Sequence, residues 1–592
     1  MKKLKVFLNM KRAKLCFISL LILSSSSSFG QGWLWGEQGY GDLKANDYAS
    51  PVATDKNGNA YITGQYESTI IFGNDTLKDY LNDNAYLTKY NSAGNVIWTT
   101  QMIDSESSYG TSVATDLYGS IYVAGMFYGN ANVGPFRLNG TLGGINSFLV
   151  KYNSNGNVIW AKQSTVPVNS ATSYAESFSV ATDKLGNIFI AGYFSDTVSF
   201  GAFTLKSIYY NDDAFLVKYD SSGNVLWAKQ AGIASKYSFG FGYSVTADKS
   251  GNAYITGYFY DTLTFGATSL FGFPSQYSGF LAKYSPSGNL LWAKQSINNS
   301  SASSCYPTAV ITDCTGNPYI TGYFADTVQF GSQQLHSTSP YYSAFFTKYD
   351  TNGNAIWAKP SSPGWEGSGL ASDKFAHIYM SGVSLTNVDT LEFGSYILHP
   401  SLSSNIVSYL MKFDTSGNPI CGSIINSLGK WWLNGVASDS TGTYIYTASV
   451  FLDTVLCGPD TLFAKGGGEN TFVCRWGGCL DGEGLTSITP QTNNVLLYPN
   501  PNNGQFTIAV KSHELRANSN IEVYNMLGEK VYSNYQISNG AALMSSLNNV
   551  QLTNTSSNYQ INLSSQPNGI YLYRVISETG QLIGDGKLII QK

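Results

Sequence analysis

Between Asp55 and Asp439 short apolar runs alternate with clusters of Gly, Asn, Asp and Ser, and one such pattern returns seven times. The runs concentrate Val, Ile, Tyr, Phe and Trp, which favour pleated, half-buried backbone, and turn residues bound them. The third copy reads Val180-Ala-Thr-Asp-Lys-Leu-Gly-Asn-Ile-Phe-Ile-Ala-Gly192, then Phe215-Leu-Val-Lys-Tyr-Asp-Ser-Ser-Gly-Asn-Val-Leu-Trp227. It predicts four strands: a near Ser179 to Thr182, b over Asn187 to Phe194, c over Ala214 to Tyr219 and d over Asn224 to Gln230. No helical period stands out beyond the N-terminus.

The register follows one aspartate through Asp55, Asp116, Asp183, Asp248, Asp313, Asp373 and Asp439, at intervals of 61, 67, 65, 65, 60 and 66 residues. A unit that cannot bury its own apolar face must stack on its neighbours, and this period suits a four-stranded propeller blade with an enlarged loop. Asp-x-x-Gly-Asn between a and b, and Ser-x-Gly-Asn between c and d, are hairpin turns. Gly takes positive φ freely there, and Asp or Ser side chains bond nearby amides. A Ca²⁺ loop at Asp55-Lys-Asn-Gly-Asn59 is the weaker reading, since it lacks a bidentate acid. The Phe-Gly element between b and c, at Phe72, Phe200, Phe265, Phe330 and Phe393, reads as a loop anchor packed under its own blade.

The seventh copy reaches strand c at Thr471-Phe-Val-Cys-Arg-Trp476 and then lacks a Gly-Asn-x-x-Trp strand. Near the other end, Trp33-Leu-Trp-Gly-Glu-Gln38 is similar to Ile159-Trp-Ala-Lys-Gln163. That similarity predicts that residues 33–38 serve as the outer strand d of blade seven and close the ring.

Residues 1–30 carry six cations, an apolar run from Leu15 to Leu23 and a Ser-rich end at Ser28-Phe-Gly30, the pattern of a cleaved secretory signal. Without those cations 28 Lys+Arg face 38 Asp+Glu, formally −10. An acidic chain without basic clusters argues against nucleic acid as a partner, and no other stretch is long and apolar enough for a transmembrane span. Six further cysteines, Cys305, Cys314, Cys421, Cys457, Cys474 and Cys479, allow up to three disulfides in an oxidising compartment. Cys305 with Cys314 and Cys474 with Cys479 are the expected pairs. No Cys-x-x-Cys spacing with His points to a metal, and no cofactor motif appears.

After Leu480 a Gly-, Ser- and Thr-rich linker, 481–494, precedes Leu496-Leu-Tyr-Pro-Asn-Pro-Asn-Asn-Gly-Gln-Phe506. Ile521-Glu-Val-Tyr-Asn-Met-Leu-Gly-Glu-Lys-Val531, Leu563-Ser-Ser-Gln-Pro-Asn-Gly-Ile-Tyr571 and Gly586-Lys-Leu-Ile-Ile-Gln-Lys592 follow. Their alternation predicts a small β-sandwich over 495–592. This tail resembles the type A C-terminal sorting domain of the type IX secretion system of Bacteroidetes. The resemblance rests on Tyr498, Pro499, Asn500, Pro501, Gly528, Pro567, Gly569, Tyr571 and Lys587. It implies export through that machinery to the cell surface or medium. The repeats, over roughly Trp33 to Leu480, resemble the family named for its seven-bladed β-propeller repeat, so the expected fold class is all-β, with a propeller over 31–480. Fold alone does not supply an activity.

Four His, very few Arg and no nucleophile elbow or phosphate-cradling loop leave an enzyme without a recognisable site, so no catalytic residue is expected. What varies at an exposed loop is the better guide. Seven positions before the register aspartate stand Tyr48, Tyr109, Glu176, Phe241, Tyr306, Glu366 and Trp432. With strand a innermost, these aromatics and acids ring one mouth of the central channel and suit a glycan or protein ligand, or else wedge adjacent blades. The expected function is a secreted or surface binding and adhesion module. The alternatives are a polysaccharide hydrolase or lyase at the channel mouth, and a structural surface-layer component.

Overall fold

The computed structural model describes residues 33–41, 51–104, 106–141, 143–167, 173–208, 211–233, 237–273, 275–337, 341–384, 390–399, 407–428, 435–439, 441–457, 460–465, 470–477, 495–499, 502–510, 520–525, 530–533, 552–553, 556–576 and 582–592. They are all-β, and no helix among them is long and apolar enough to cross a membrane. The chain divides into two units, Met1–Leu480 and Asp481–Lys592. The expected signal segment, 1–30, and the linker, 481–494, lie outside the described residues.

In the third copy strands a to d are Tyr174–Thr182, Ile188–Ser195, Asp213–Tyr219 and Val225–Ile233, paired antiparallel in that order. Strand a begins earlier than its apolar pattern suggests, because a bulge between Ser177 and Ser179 interrupts the alternation there. Between b and c lies a hairpin, Thr197–Phe200 with Phe203–Lys206, turning at Gly201 with φ of 57°. Phe200 is buried and packs on Phe215 of its own strand c, with ring centroids 4.9 Å apart.

The hairpin also joins copies. Strand d of the third copy runs past Gln230, and its Gly232 and Ile233 pair with Thr264 and Leu263 in the hairpin of the fourth. Equivalent pairs link Ser296 to Phe330, Ser361 to Phe393 and Asn426 to Leu456. Trp33–Gly41 obeys the same rule at both its neighbours. Residues 33–39 pair with strand c of the last copy, from Trp33 opposite Trp476 to Gly39 opposite Thr471. Gly39, Tyr40 and Gly41 then pair with Phe72, Ile71 and Ile70 in the first copy. One buried cluster accordingly mixes Tyr446, Ala448 and Val473 with Val52, Ile62 and Phe72.

The recurring polar residues are fasteners. Asp55 accepts backbone N–H groups of Asn57 and Asn59 at 2.8 and 3.0 Å, the Asn59 amide and the Tyr61 hydroxyl. Burial pushes its carboxyl up, but these donors outweigh burial and hold it below the usual range. The strand-d Trp residues of copies one to four each lie one copy upstream of the turn they serve. Trp98 Nε1 donates to the Ser154 carbonyl, Trp160 to Ser221, Trp227 to Pro286 and Trp292 to Thr351, at 3.0–3.2 Å. The strand-c lysine donates to the same oxygen, as Lys89 does to Ser154 and Lys218 to Pro286. The turn glycine rests on that indole: a Cβ at Gly156, where φ is 82°, would lie 2.9 Å from Trp98.

Two expected disulfides are corrected. Cys305 is buried and free, and Cys314 is exposed and free; they stand on strand a and in the turn after it, which separates their side chains. Cys474 bonds to Cys457, in the hairpin of the same copy, with Cα atoms 6.2 Å apart, rather than to Cys479. Cys421 is also disulfide-bonded.

In the second unit, two four-stranded sheets share one core that includes Phe506, Ile508 and Ile561 from one and Ile521, Val575 and Leu588 from the other.

Candidate functional site

Each described position seven before the register aspartate is set by a glycine across the ladder. Tyr109, Glu176, Phe241, Tyr306 and Glu366 stand opposite Met126, Tyr193, Tyr258, Tyr323 and Val383, and strand a bulges two residues later in every case. Before each partner is Gly125, Gly192, Gly257, Gly322 or Gly382. A Cβ on any of these would meet the carbonyl of the mouth residue at 1.8–2.0 Å. Only glycine admits that approach, which lets strand a kink at the bulge that follows. Tyr48 and Trp432 lie outside the described residues.

These positions share a register but not surroundings. Phe241 and Tyr306 join a run of touching rings: Phe178 stacks on Tyr193 and on Tyr243, and Tyr193 meets Phe241 at 4.9 Å. Tyr258 meets Phe241, Tyr277 and Tyr306 at 5.1–5.4 Å, and Tyr306 stacks on Tyr323 at 4.9 Å. Tyr109 meets Tyr128 edge-on at 6.1 Å. Among the described residues the crowd lies in copies three to five. Sequence reasoning overlooked Tyr193, Tyr258 and Tyr323, although the triplet Gly-Tyr-Phe occurs in those three consecutive copies, at 192–194, 257–259 and 322–324. The bulge residues Phe178 and Tyr243 had no such signal, because a bulge breaks the period by which inward positions are counted.

Carboxylates flank the rings. Glu176 accepts the Tyr193 hydroxyl at 2.7 Å, and Asp212 accepts that of Tyr174. Burial raises Glu176; the Tyr193 bond partly offsets this and the Asp212 charge adds to it. Burial likewise raises Asp212, against the Tyr174 bond. On the far side burial alone pushes Glu366 up to about 7. Asp83, raised by burial and by Glu67 against a bond from Tyr109, lies beside the Tyr109–Tyr128 pair. This end disfavours negative charge, whereas the turn end, as at Asp55 and Asp313, is built to hold it.

The tail residues are structural. The Tyr571 hydroxyl donates to the Pro567 carbonyl at 2.8 Å, and Gly569 pairs with Ile590. Lys587 pairs with Leu572. Tyr498 pairs with Thr507 in the first strand pair, and Pro499 follows it exposed. Asn500, Pro501 and Gly528 lie outside the described residues.

Residues 496–591 match the family described as the secretion system C-terminal sorting domain, and residues 226–258 match the beta-propeller repeat. The tail implies a secreted or cell-surface protein. An uncharacterized WD repeat-containing protein of Acanthamoeba polyphaga mimivirus is 25% identical over 391 residues, 53% of this chain and 27% of that protein. The chain thus matches about a quarter of that relative's length. A protein of unknown function from Bacteroides caccae is 12% identical with a TM-score of 0.29, covering 57% of this chain and 89% of its own. A Synechocystis apocarotenoid oxygenase is 11% identical with a TM-score of 0.34, covering 74% and 94%.

Proposed function

We propose that the repeats close into a seven-bladed propeller that acts as a binding module at the cell surface or in the medium, delivered by the type IX machinery through its tail. Ring closure is supported by the pairing of Trp33–Gly41 with both the last and the first copy, and by the core those copies share. In that geometry strand a is innermost, and the Glu176 to Glu366 positions line one channel mouth.

The observation that carries the binding reading is the concentration of the aromatic crowd, among the described residues, in three neighbouring copies. Residues needed only to hold blades apart would recur from copy to copy, as the Asp fastener does in all seven and the Lys and Trp fasteners do in six. A patch that breaks the symmetry, half-exposed and rich in Tyr, has the chemistry of a recognition surface. The ring contacts between copies also wedge the blades, so scaffold and surface overlap in these residues.

A hydrolase or lyase reading draws on Glu176 and Asp212, neighbouring carboxyls with raised proton affinity beside two Tyr hydroxyls. Glycan and peptide arrays probed with the secreted protein, run beside an activity screen, separate the two. Saturable binding without turnover supports the module, turnover supports the enzyme, and neither leaves a structural surface component.

A further inference from the structure

Within the binding reading, on which this step rests, we infer that the mouth of copies three to six takes basic peptide segments, holding Lys or Arg side chains between Tyr hydroxyls and the carboxylates of Glu176, Asp212 and Glu366. Three observations lead there.

The ring faces are already spent. Tyr193 has Phe178 stacked on it and Phe241 at its side, and Tyr306 is stacked by Tyr323 with Tyr258 and Tyr277 around it. A sugar ring stacks on an open flat face, and little of one remains here. What these side chains still offer is hydroxyl oxygens and ring edges.

Among the described residues the carboxylates have no cation. Tyr193 and Tyr174 donate to Glu176 and Asp212. The charge of Glu366 bears on the Tyr323 and Tyr409 hydroxyls and helps raise both, so neither serves it as a counter-ion. No ion pair involves any of the three carboxylates among the described residues. The strand-c lysines are engaged at the opposite ends of their strands with turn carbonyls. Half-buried acids without a counter-ion are costly to ionise, and a ligand that brings the missing charge recovers that cost on binding.

The acids also stand on different copies. Glu176 and Asp212 stand on copy three and Glu366 on copy six, with the aromatic run between them. A ligand that carries several cations meets acids on separate copies at once, and a single small cation does not.

The test is isothermal titration of the full secreted chain with hexa-arginine and, separately, hexa-citrulline, its uncharged isostere. Hexa-arginine should bind saturably with one site per chain and release protons at about pH 6, read as a dependence of the heat on buffer ionisation. Hexa-citrulline should not bind. Affinity should fall about tenfold in Glu176→Gln and again in Glu366→Gln, with melting unimpaired, and should be unchanged in the exposed control Glu392→Gln. Equal binding of hexa-citrulline, or full affinity in the Gln variants, overturns the basic-peptide inference. An array ligand that is neutral and lost on Tyr258→Ala would overturn it while leaving the binding module standing. Preferential binding of a chitosan oligomer over hexa-arginine assigns the acids to an amino-sugar and also overturns it.

Discussion

The indole Nε1 of Trp35 donates to the Ser92 carbonyl at 3.1 Å, the bond that Trp98 makes to Ser154 and Trp160 to Ser221. Arg475, where other copies carry Lys, donates to the same oxygen at 2.7 Å. Gln38 Nε2 reaches the Phe463 carbonyl as Gln163 reaches Asn139 and Gln230 reaches Lys206. A segment from the start of the chain therefore reproduces, side chain by side chain, the junction found between consecutive copies.

That junction is braced by the Cys457–Cys474 disulfide, which lies against Gly36 so closely that a Cβ there would sit 2.6 Å from Cys457 Cβ. The bond closes a 17-residue separation. Removing it in Cys457→Ser/Cys474→Ser should cost about 3 kcal/mol, and Gly36→Ala should destabilise with the disulfide intact. Thermal melts with and without reductant check both. A variant that melts with the wild type removes the brace.

Gly257→Ala should be more damaging than an exposed strand glycine change. Its Cβ would meet the Phe241 carbonyl at 1.8 Å, so strand a must move and Phe241 with it. A loss of about 2 kcal/mol or more, with altered near-ultraviolet dichroism from the Tyr cluster, is expected. Unchanged dichroism would show that the glycine does not set the mouth.

The strands, turns and pairing partner of Trp33–Gly41 were legible because periodicity and turn chemistry act locally, and because seven copies let one be checked against another. The hairpin's second role was not. Phe200-Gly201 marks its turn, but the pairing of Gly232 with Thr264 joins residues 32 positions apart, with no apolar alternation to announce it. The mouth was half legible: Glu176 and Tyr306 followed from counting back from the register aspartate, while Phe178 and Tyr243 were hidden by the bulge. The Cys457–Cys474 bond was missed because sequence proximity favoured Cys479, whereas sheet geometry brings hairpin and strand c together.

Glu366 should make stability fall as pH rises. Its folded value, about 7, exceeds the ordinary 4.5, so between those values the folded chain keeps a proton that the unfolded chain has lost. Stability therefore declines through that window and stays lower above it, by on the order of 1–3 kcal/mol. Glu366→Gln should match the wild type near pH 4 and melt higher near pH 8. A pH-independent difference would contradict this.

Glu522 in the tail should act in the opposite sense. It is buried, which raises its carboxyl, but bonds from Lys530, Tyr524 and Arg574 at 2.5–2.6 Å outweigh burial and hold it at about 2. The folded tail releases a proton that the unfolded chain holds below 4.5, so this stabilisation is present above that value and is lost as pH falls toward 2. Glu522→Gln should flatten the acid limb of the tail's melt. An unchanged acid limb would show that another group governs it.

The closed ring itself stands or falls on native-state hydrogen exchange of the full chain, read at Trp33–Gly41, at Ile70 to Phe72 and at Thr471 to Trp476. If Trp33–Gly41 completes one cooperative ring, its paired amides should open with the same free energy as the internal strand d Val225–Ile233, and Trp35→Ala should lower protection in the first and last copies together. Free exchange of Trp33–Gly41 while those neighbours stay protected would contradict closure.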